Sequence, residues 1–211
     1  MTFTQAIGNG CGAIIRLIVR ALALSRIHPN VLTFLGLVIS SYAGYLLAHG
    51  RFQFAGWVII GGGLFDMVDG RVARETNRVT RFGAFFDSVL DRYSDLALFI
   101  GLALWYGGIN RPGYVVLTCL AMTACVMISY ARARSENLIP SCKVGFLERP
   151  ERVVLVIIGA LFDRMAPVLW VTAVLGTITV IHRMVFTWQE AKQLEEAQLR
   201  PAGRAATNVP R

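Results

Sequence analysis

Six apolar runs, each near the roughly 20 residues a helix needs to cross a bilayer, dominate this chain and restrict it to an α-helical membrane fold. They lie at about 31–49, 53–74, 84–106, 113–133, 152–168 and 169–187, the last two short and meeting near Pro167. The connections sharpen the reading, because cytoplasmic loops collect Lys and Arg. From the N-terminal segment to the C-terminal tail the basic residues number three, one, four, one, five, one and five, which accounts for twenty of the 21 and alternates at every step. Six spans with both termini in the cytoplasm satisfy that alternation. Phe52, Trp57, Trp105, Tyr106 and Trp170 fall near the outer ends, where amphipathic rings prefer to lie.

The expected architecture is therefore all-α: a membrane domain over residues 1–188 and a cytoplasmic tail over 189–211. Residues 1–25 contain no acid, and "AIIRLIVRALAL" sets Arg16 and Arg20 four apart among apolar neighbours, the pattern of an interfacial amphipathic helix over 4–25. A cleaved signal peptide is the rival, but its charges would precede the apolar run and be followed by a small-residue cleavage site. Pro29 then breaks the chain before the first span. The tail reads as a short helical extension ending in disorder.

A net charge of +8 raises nucleic acid as a partner, but the charges are divided among loops on one side of an apolar body. That distribution suits anionic headgroups or phosphorylated substrates and argues against nucleic acid. Cys11, Cys119, Cys125 and Cys142 form no CxxC pair and read as small apolar fillers.

The chemistry concentrates in "DMVDGRVARETNRVTRFGAFFDSVLD", residues 66–91. Asp66 and Asp69 are three apart at the end of the second span, and Asp87 and Asp91 four apart at the start of the third, so each pair shares a helix face. Both ends lie on the expected cytoplasmic side, where the four carboxylates can converge. Pairing with Arg71, Arg74, Arg78 or Arg92 would neutralise them but does not explain two spaced pairs on successive spans. A hard divalent cation does: Mg²⁺ takes a few carboxylates and leaves positions for phosphates, and two such ions form a clamp for phosphoryl transfer, with Mn²⁺ able to substitute. Gly70, Ala73 and Gly83 remove bulk beside the cluster, although small residues in membrane helices also serve simple packing. Arg74 offers a planar cation to a diphosphate.

The order Asp66, Asp69, Gly70, Ala73, Arg74, Gly83, Asp87, Asp91 resembles the complete signature of the CDP-alcohol phosphotransferases, whose plan of six spans after an interfacial helix covers nearly the whole chain. The resemblance implies Mg²⁺-dependent transfer of a substituted phosphoryl group from a CDP-linked lipid donor to an alcohol, with CMP released. It implies that Asp66, Asp69, Asp87 and Asp91 hold the metals, that Asp91 is also the general base, and that the enzyme is a homodimer. Pro29, Asn30, Val31, Leu32, Gly70, Arg74 and Thr80 match positions that contact the CDP-lipid. A carboxylate beside a metal-bound phosphoryl centre could indeed take the acceptor's proton.

The acceptor is read from "SYARARSENLIPSCKVGFLERPERVVL", residues 129–155, which resembles the family's inositol-phosphate subgroup at Ala131–Arg134 and Glu148–Arg152, with Ser135 in place of an expected alanine. No lysine-rich GKxKT segment, usual for glycerol-phosphate members, is present. The implied acceptor is a phosphorylated polyol, L-myo-inositol 1-phosphate, its phosphate gripped by Lys143, Arg132, Arg134, Arg152 and Arg183. Each of these cations also fits ordinary positive-inside topology; their convergence favours an anion pocket. Glu148 and Glu151 would fix the cations.

Glycerol 3-phosphate or a neutral alcohol as acceptor, and an archaeol-type donor, remain alternatives within the family. Membrane prenyltransferases also bind a diphosphate through aspartates and Mg²⁺, and CMP release separates the two. A divalent-cation transporter is the non-enzyme alternative, and it would need acids deeper in several spans.

Overall fold

The computed structural model describes residues 29–75 and 80–205, with side chains for 30–66 and 80–197. The expected interfacial helix over 4–25, Cys11, Arg78 and the last residues of the tail lie outside them. The described residues form six helices and no strand: α1 (Pro29–Ala48), α2 (Phe52–Glu75), α3 (Arg81–Gly108), α4 (Pro112–Ser135), α5 (Arg149–Leu161) and α6 (Met165–Ala205).

Local chemistry sets the starts. Proline is tolerated in a first turn because its missing N–H would be unpaired there, and Pro112 and Pro150 open α4 and α5 in this way. Thr80 caps α3, its hydroxyl accepting from the Gly83 N–H at 2.9 Å. The helix ends at Asn110 and Asp163 turn through left-handed backbone, φ 54° at each.

The spans match the helices closely through α4 and then depart. The expected fifth span, 152–168, is a helix of 13 residues ending at Leu161, and α6 absorbs residues 165–168 and runs on into the charged tail. Asp163 and Arg164 interrupt the apolar run here. The break comes from the turn at Phe162–Arg164, whereas Pro167 sits in the first turn of α6, where it needs no N–H donor. Among the described residues, three helices are long and apolar enough to cross a membrane: Asn30–Ala48, Pro112–Ser135 and Met165–Ala197. α2 and α3 carry the aspartates and several glycines, and α5, at about 1.5 Å per residue, is shorter than a hydrocarbon core.

α1 packs between α2 and α3, α5 lies on α2, and α4 links α3 to α6. The core runs through Leu46, Leu47, Phe99, Leu102, Ala121 and Leu169, all nearly inaccessible. Large apolar side chains also cover the outside, Phe54 at 70% and Trp57 at 66% exposure among them, as suits a lipid-facing surface. The hydroxyls of Thr118, Thr123, Thr177 and Thr187 donate to the carbonyl one turn back and are paired within their own helices. α1 and α3 meet backbone to backbone, since a Cβ on Gly101 would fall 2.1 Å from the Gly44 carbonyl oxygen.

The 136–148 connection is irregular yet buried at Ile139, Cys142 and Leu147. Buried irregular backbone must find partners in the protein. Here the Phe146 N–H donates to Thr179 Oγ1 at 3.4 Å, and the Val144 carbonyl accepts from Arg183 Nε at 2.9 Å. Gly145 has φ +119°, and a Cβ there would meet Thr179 at 2.5 Å, so this position requires glycine.

Candidate active site

α2 and α3 deliver the carboxylates. Asp87, Asp91 and Asp95 recur every fourth residue and form one stripe on α3. Oxygens of Asp66, Asp87 and Asp91 lie within 4.8 Å of one another. Two unit negative charges at that distance repel by on the order of 3 kcal/mol at an effective dielectric of about 20, so the three need a shared counter-charge. An all-oxygen set at this spacing fits a hard divalent ion. Asp69, Gly70 and Arg74 follow on the last turns of α2, with side chains outside those described.

The neutralising cation comes from α5. Arg149 pairs with Asp66, with Asp91 at 3.0 Å, and more distantly with Asp95 at 3.9 Å. Arg92 is 3.5 Å from Asp91, which makes it a lesser partner. Behind them Arg152 and Asp95 form a buried pair at 3.0 Å, and Arg152 also donates to the Leu147 carbonyl at 3.3 Å.

Two recesses meet here. An apolar groove of about 390 Å³ runs between α1, α2, α3 and α5, past Gly36, Gly62, Gly63 and Ile157, and ends at Asp66 and Arg149. A Cβ on Gly36 would lie 3.7 Å from Asp66 Oδ1, so this glycine keeps the groove open at its polar end. On the other side lies a polar cavity of about 450 Å³ lined by five arginines and three acids, Asp91 among them. That excess of cations fits a phosphate.

The structure brings together some of the acceptor candidates and leaves others apart. Arg132, Arg152 and Arg183 line the polar cavity, whereas Arg134 and Lys143 are exposed and do not line it. Arg183 is 1% exposed and donates to the carbonyls of Val144 and Ile128, so it also ties the 136–148 connection to α4 and α6. Glu148 fixes these cations as expected, one oxygen lying 3.2 Å from Arg132 and 3.6 Å from Arg183, while Glu151 is exposed. Of the nucleotide candidates, Asn30 and Thr80 converge on Gly83, where a Cβ would fall 2.9 Å from Thr80 Oγ1 and 3.4 Å from Asn30 Oδ1. Val31 is exposed, Leu32 is packed inside, and the side chain of Pro29 is outside those described.

Sequence reasoning missed Arg149 and Asp95 as site residues. Asp95 was within reach, lying one turn beyond Asp91 on the same face, but its apolar surroundings disguised it as part of a span. Arg149 lies in the Glu148–Arg152 segment, but nothing local says that its partners are on α2 and α3.

Residues 26–189 match the family described as CDP-alcohol phosphatidyltransferase. The chain is 35% identical to an archaetidylinositol phosphate synthase of Pyrococcus horikoshii over 177 residues, 83% of this chain and 90% of that one. It is 37% identical to a phosphatidylinositol phosphate synthase of Mycobacterium tuberculosis over 186 residues, 81% of this chain and 84% of that one. The fold superposes on the crystal structure of that mycobacterial synthase with CDP-DAG bound, with a TM-score of 0.78 at 33% identity, covering 83% of this chain and 94% of that one. It also superposes on the same synthase in complex with manganese and citrate, with a TM-score of 0.75 at 34% identity, covering 82% and 88%. The fold that carries this carboxylate cluster is thus shared with a synthase solved with a CDP-lipid and with a divalent metal, and this chain belongs to the CDP-alcohol phosphatidyltransferase family.

Proposed function

We propose that the protein transfers a phosphatidyl-type group from a CDP-linked lipid to L-myo-inositol 1-phosphate, giving a phosphatidylinositol phosphate and CMP. The observation that carries this reading is the junction at Asp66, Asp91 and Arg149, where an apolar groove suited to lipid chains meets a cation-rich cavity suited to a phosphorylated acceptor. Both kinds of relative named above make an inositol phosphate lipid and differ in the lipid, which supports the acceptor and leaves open diacylglycerol or archaeol as the donor.

Asp66, Asp69, Asp87 and Asp91 would hold Mg²⁺, two ions in the favoured arrangement. When bound, the metal supplies charge stabilisation to the diphosphate in transfer. The acceptor hydroxyl oxygen attacks the lipid-bearing phosphorus, the bond from that phosphorus to the CMP oxygen breaks, and the hydroxyl proton passes to Asp91. Asn30, Thr80, Gly70 and Arg74, with the Pro29–Leu32 segment, would receive the nucleotide and its diphosphate. Arg132, Arg152 and Arg183 would hold the acceptor's phosphate, with Arg134 and Lys143 at the outer approach.

The same reading places six spans and an interfacial helix in the cell membrane, with the site and both termini on the cytoplasmic side, the catalytic domain ending near residue 188, and two copies forming a homodimer. The test is CMP release from CDP-diacylglycerol and Mg²⁺ with inositol 1-phosphate, glycerol 3-phosphate, inositol or serine as acceptor. Turnover is expected with inositol 1-phosphate, falling about 10²- to 10⁴-fold in Asp91→Asn, the usual contribution of a general base. Turnover with another alcohol alone would refute the acceptor.

A further inference from the structure

Arg149 occupies an odd position for an arginine at a metal site. Its guanidinium pairs with Asp66 and Asp91, two of the three carboxylates whose oxygens cluster, and so stands where a divalent cation would place its own charge. Its fit is incomplete, because Nε is shielded from solvent and has no hydrogen-bond partner, with Asp95 at 3.9 Å beyond bonding distance. Arg149 and the adjoining Pro150 also line both the apolar groove and the polar cavity. A guanidinium at this place has a second place to go, toward a phosphate oxyanion at the junction, where its unused donor would find an acceptor.

We infer that Arg149 is a stand-in cation: it neutralises Asp66 and Asp91 before metal arrives, metal displaces it, and the freed guanidinium then binds a phosphate oxyanion of the substrates. The inference rests on Asp66, Asp87 and Asp91 being metal ligands. In this inference metal binding breaks the Arg149 pairs, so their strength is subtracted from metal affinity. The device makes phosphate recognition follow metal binding, because the guanidinium nitrogens engaged by Asp66 and Asp91 become available to a phosphate only once metal replaces them.

The direct test is Mn²⁺ binding to the purified full chain, followed by electron paramagnetic resonance with no substrate present. Arg149→Gln removes the competing charge while keeping hydrogen-bonding groups. It is expected to bind Mn²⁺ about tenfold more tightly than wild type, and Arg149→Lys more tightly by a smaller factor. In chelator, Arg149→Gln should melt below wild type, because its carboxylates lose their counter-charge, and saturating Mn²⁺ should close that gap. Equal or weaker Mn²⁺ binding by Arg149→Gln overturns the inference. If that variant does not survive purification, equality between Arg149→Lys and wild type overturns it as well. A wild-type protein that binds no Mn²⁺ refutes the metal site itself, a distinguishable failure.

With metal saturating, Arg149→Gln should raise the KM for one phosphate-bearing substrate. A rise for the CDP-lipid assigns the freed guanidinium to the donor's diphosphate, and a rise for inositol phosphate assigns it to the acceptor. Unchanged KM for both overturns the second half of the inference.

Discussion

The buried pair of Asp95 and Arg152 ties stability to the acceptor side of the cavity. Asp95 is 9% exposed and Arg152 3%, so replacing either one strands a charge in the interior. Asp95→Asn is expected to destabilise by about 3 kcal/mol, at the lower end for breaking a buried pair, and to raise the KM for the phosphorylated acceptor as Arg152 loses its anchor. Thermal melting in detergent and acceptor titration check the two effects. Replacing both residues, Asp95→Leu with Arg152→Met, should recover most of the stability and none of the acceptor affinity, because the stranded charge disappears together with the phosphate ligand. Recovery of both would remove Arg152 from the acceptor site. The same residues show what single-sequence reading can reach. Asp66, Asp87 and Asp91 were legible because helical spacing announces them locally. The cations that neutralise them were not, since Arg149 meets Asp66 across 83 residues and Arg152 meets Asp95 across 57, and no local pattern encodes which of several arginines arrives.

Among the elements, the crossing of α1 and α3 governs the site from a distance. Their backbones touch at Gly44 and Gly101, and this close approach carries the start of α1 to the start of α3, where Asn30 and Thr80 meet at Gly83. Gly101→Ala would drive a methyl into the Gly44 carbonyl, and the opposing atom is backbone, so the helices must part. The expected cost is about 1–3 kcal/mol, the range for overpacking a close contact, with weaker CDP-lipid binding as the two helix starts separate. Gly61→Ala on α2 is the control, because a Cβ there meets nothing within 4 Å and alanine favours the helix by up to about 1 kcal/mol. Equal melting temperatures for the two variants would show that the crossing does not depend on glycine. Hydropathy located α1 to α4 because their ends coincide with polar or proline-bearing turns. It misplaced the α5–α6 boundary by taking Pro167 as the break, whereas the chain turns at Phe162–Arg164 and Pro167 falls in the first turn of α6.

Across the whole molecule, the two ends differ in kind. Phe52, Trp105, Tyr106 and the turn at Asp163–Pro167 surround one recess, so the connections bearing only Arg51, Arg111 and Arg164 gather at a single end, with rings stacked between Tyr106 and Tyr114. The carboxylates, the 136–148 connection and Arg149 gather at the other. Among the described residues, the alternation of basic connections is therefore also a segregation in space. In the function proposed above, positive-inside topology puts the basic end, and with it the site, in the cytoplasm. Single-cysteine variants on a cysteine-free background test this in intact cells with a membrane-impermeant maleimide. Arg51→Cys and Arg111→Cys should label from outside, and Asn137→Cys only after permeabilisation, all three positions being exposed in the fold. Cysteines at both ends labelling only after permeabilisation would mean that these helices do not cross. External labelling of Asn137→Cys would invert the molecule and separate the carboxylates from a cytoplasmic supply of nucleotide-linked lipid, so orientation and chemistry stand or fall together.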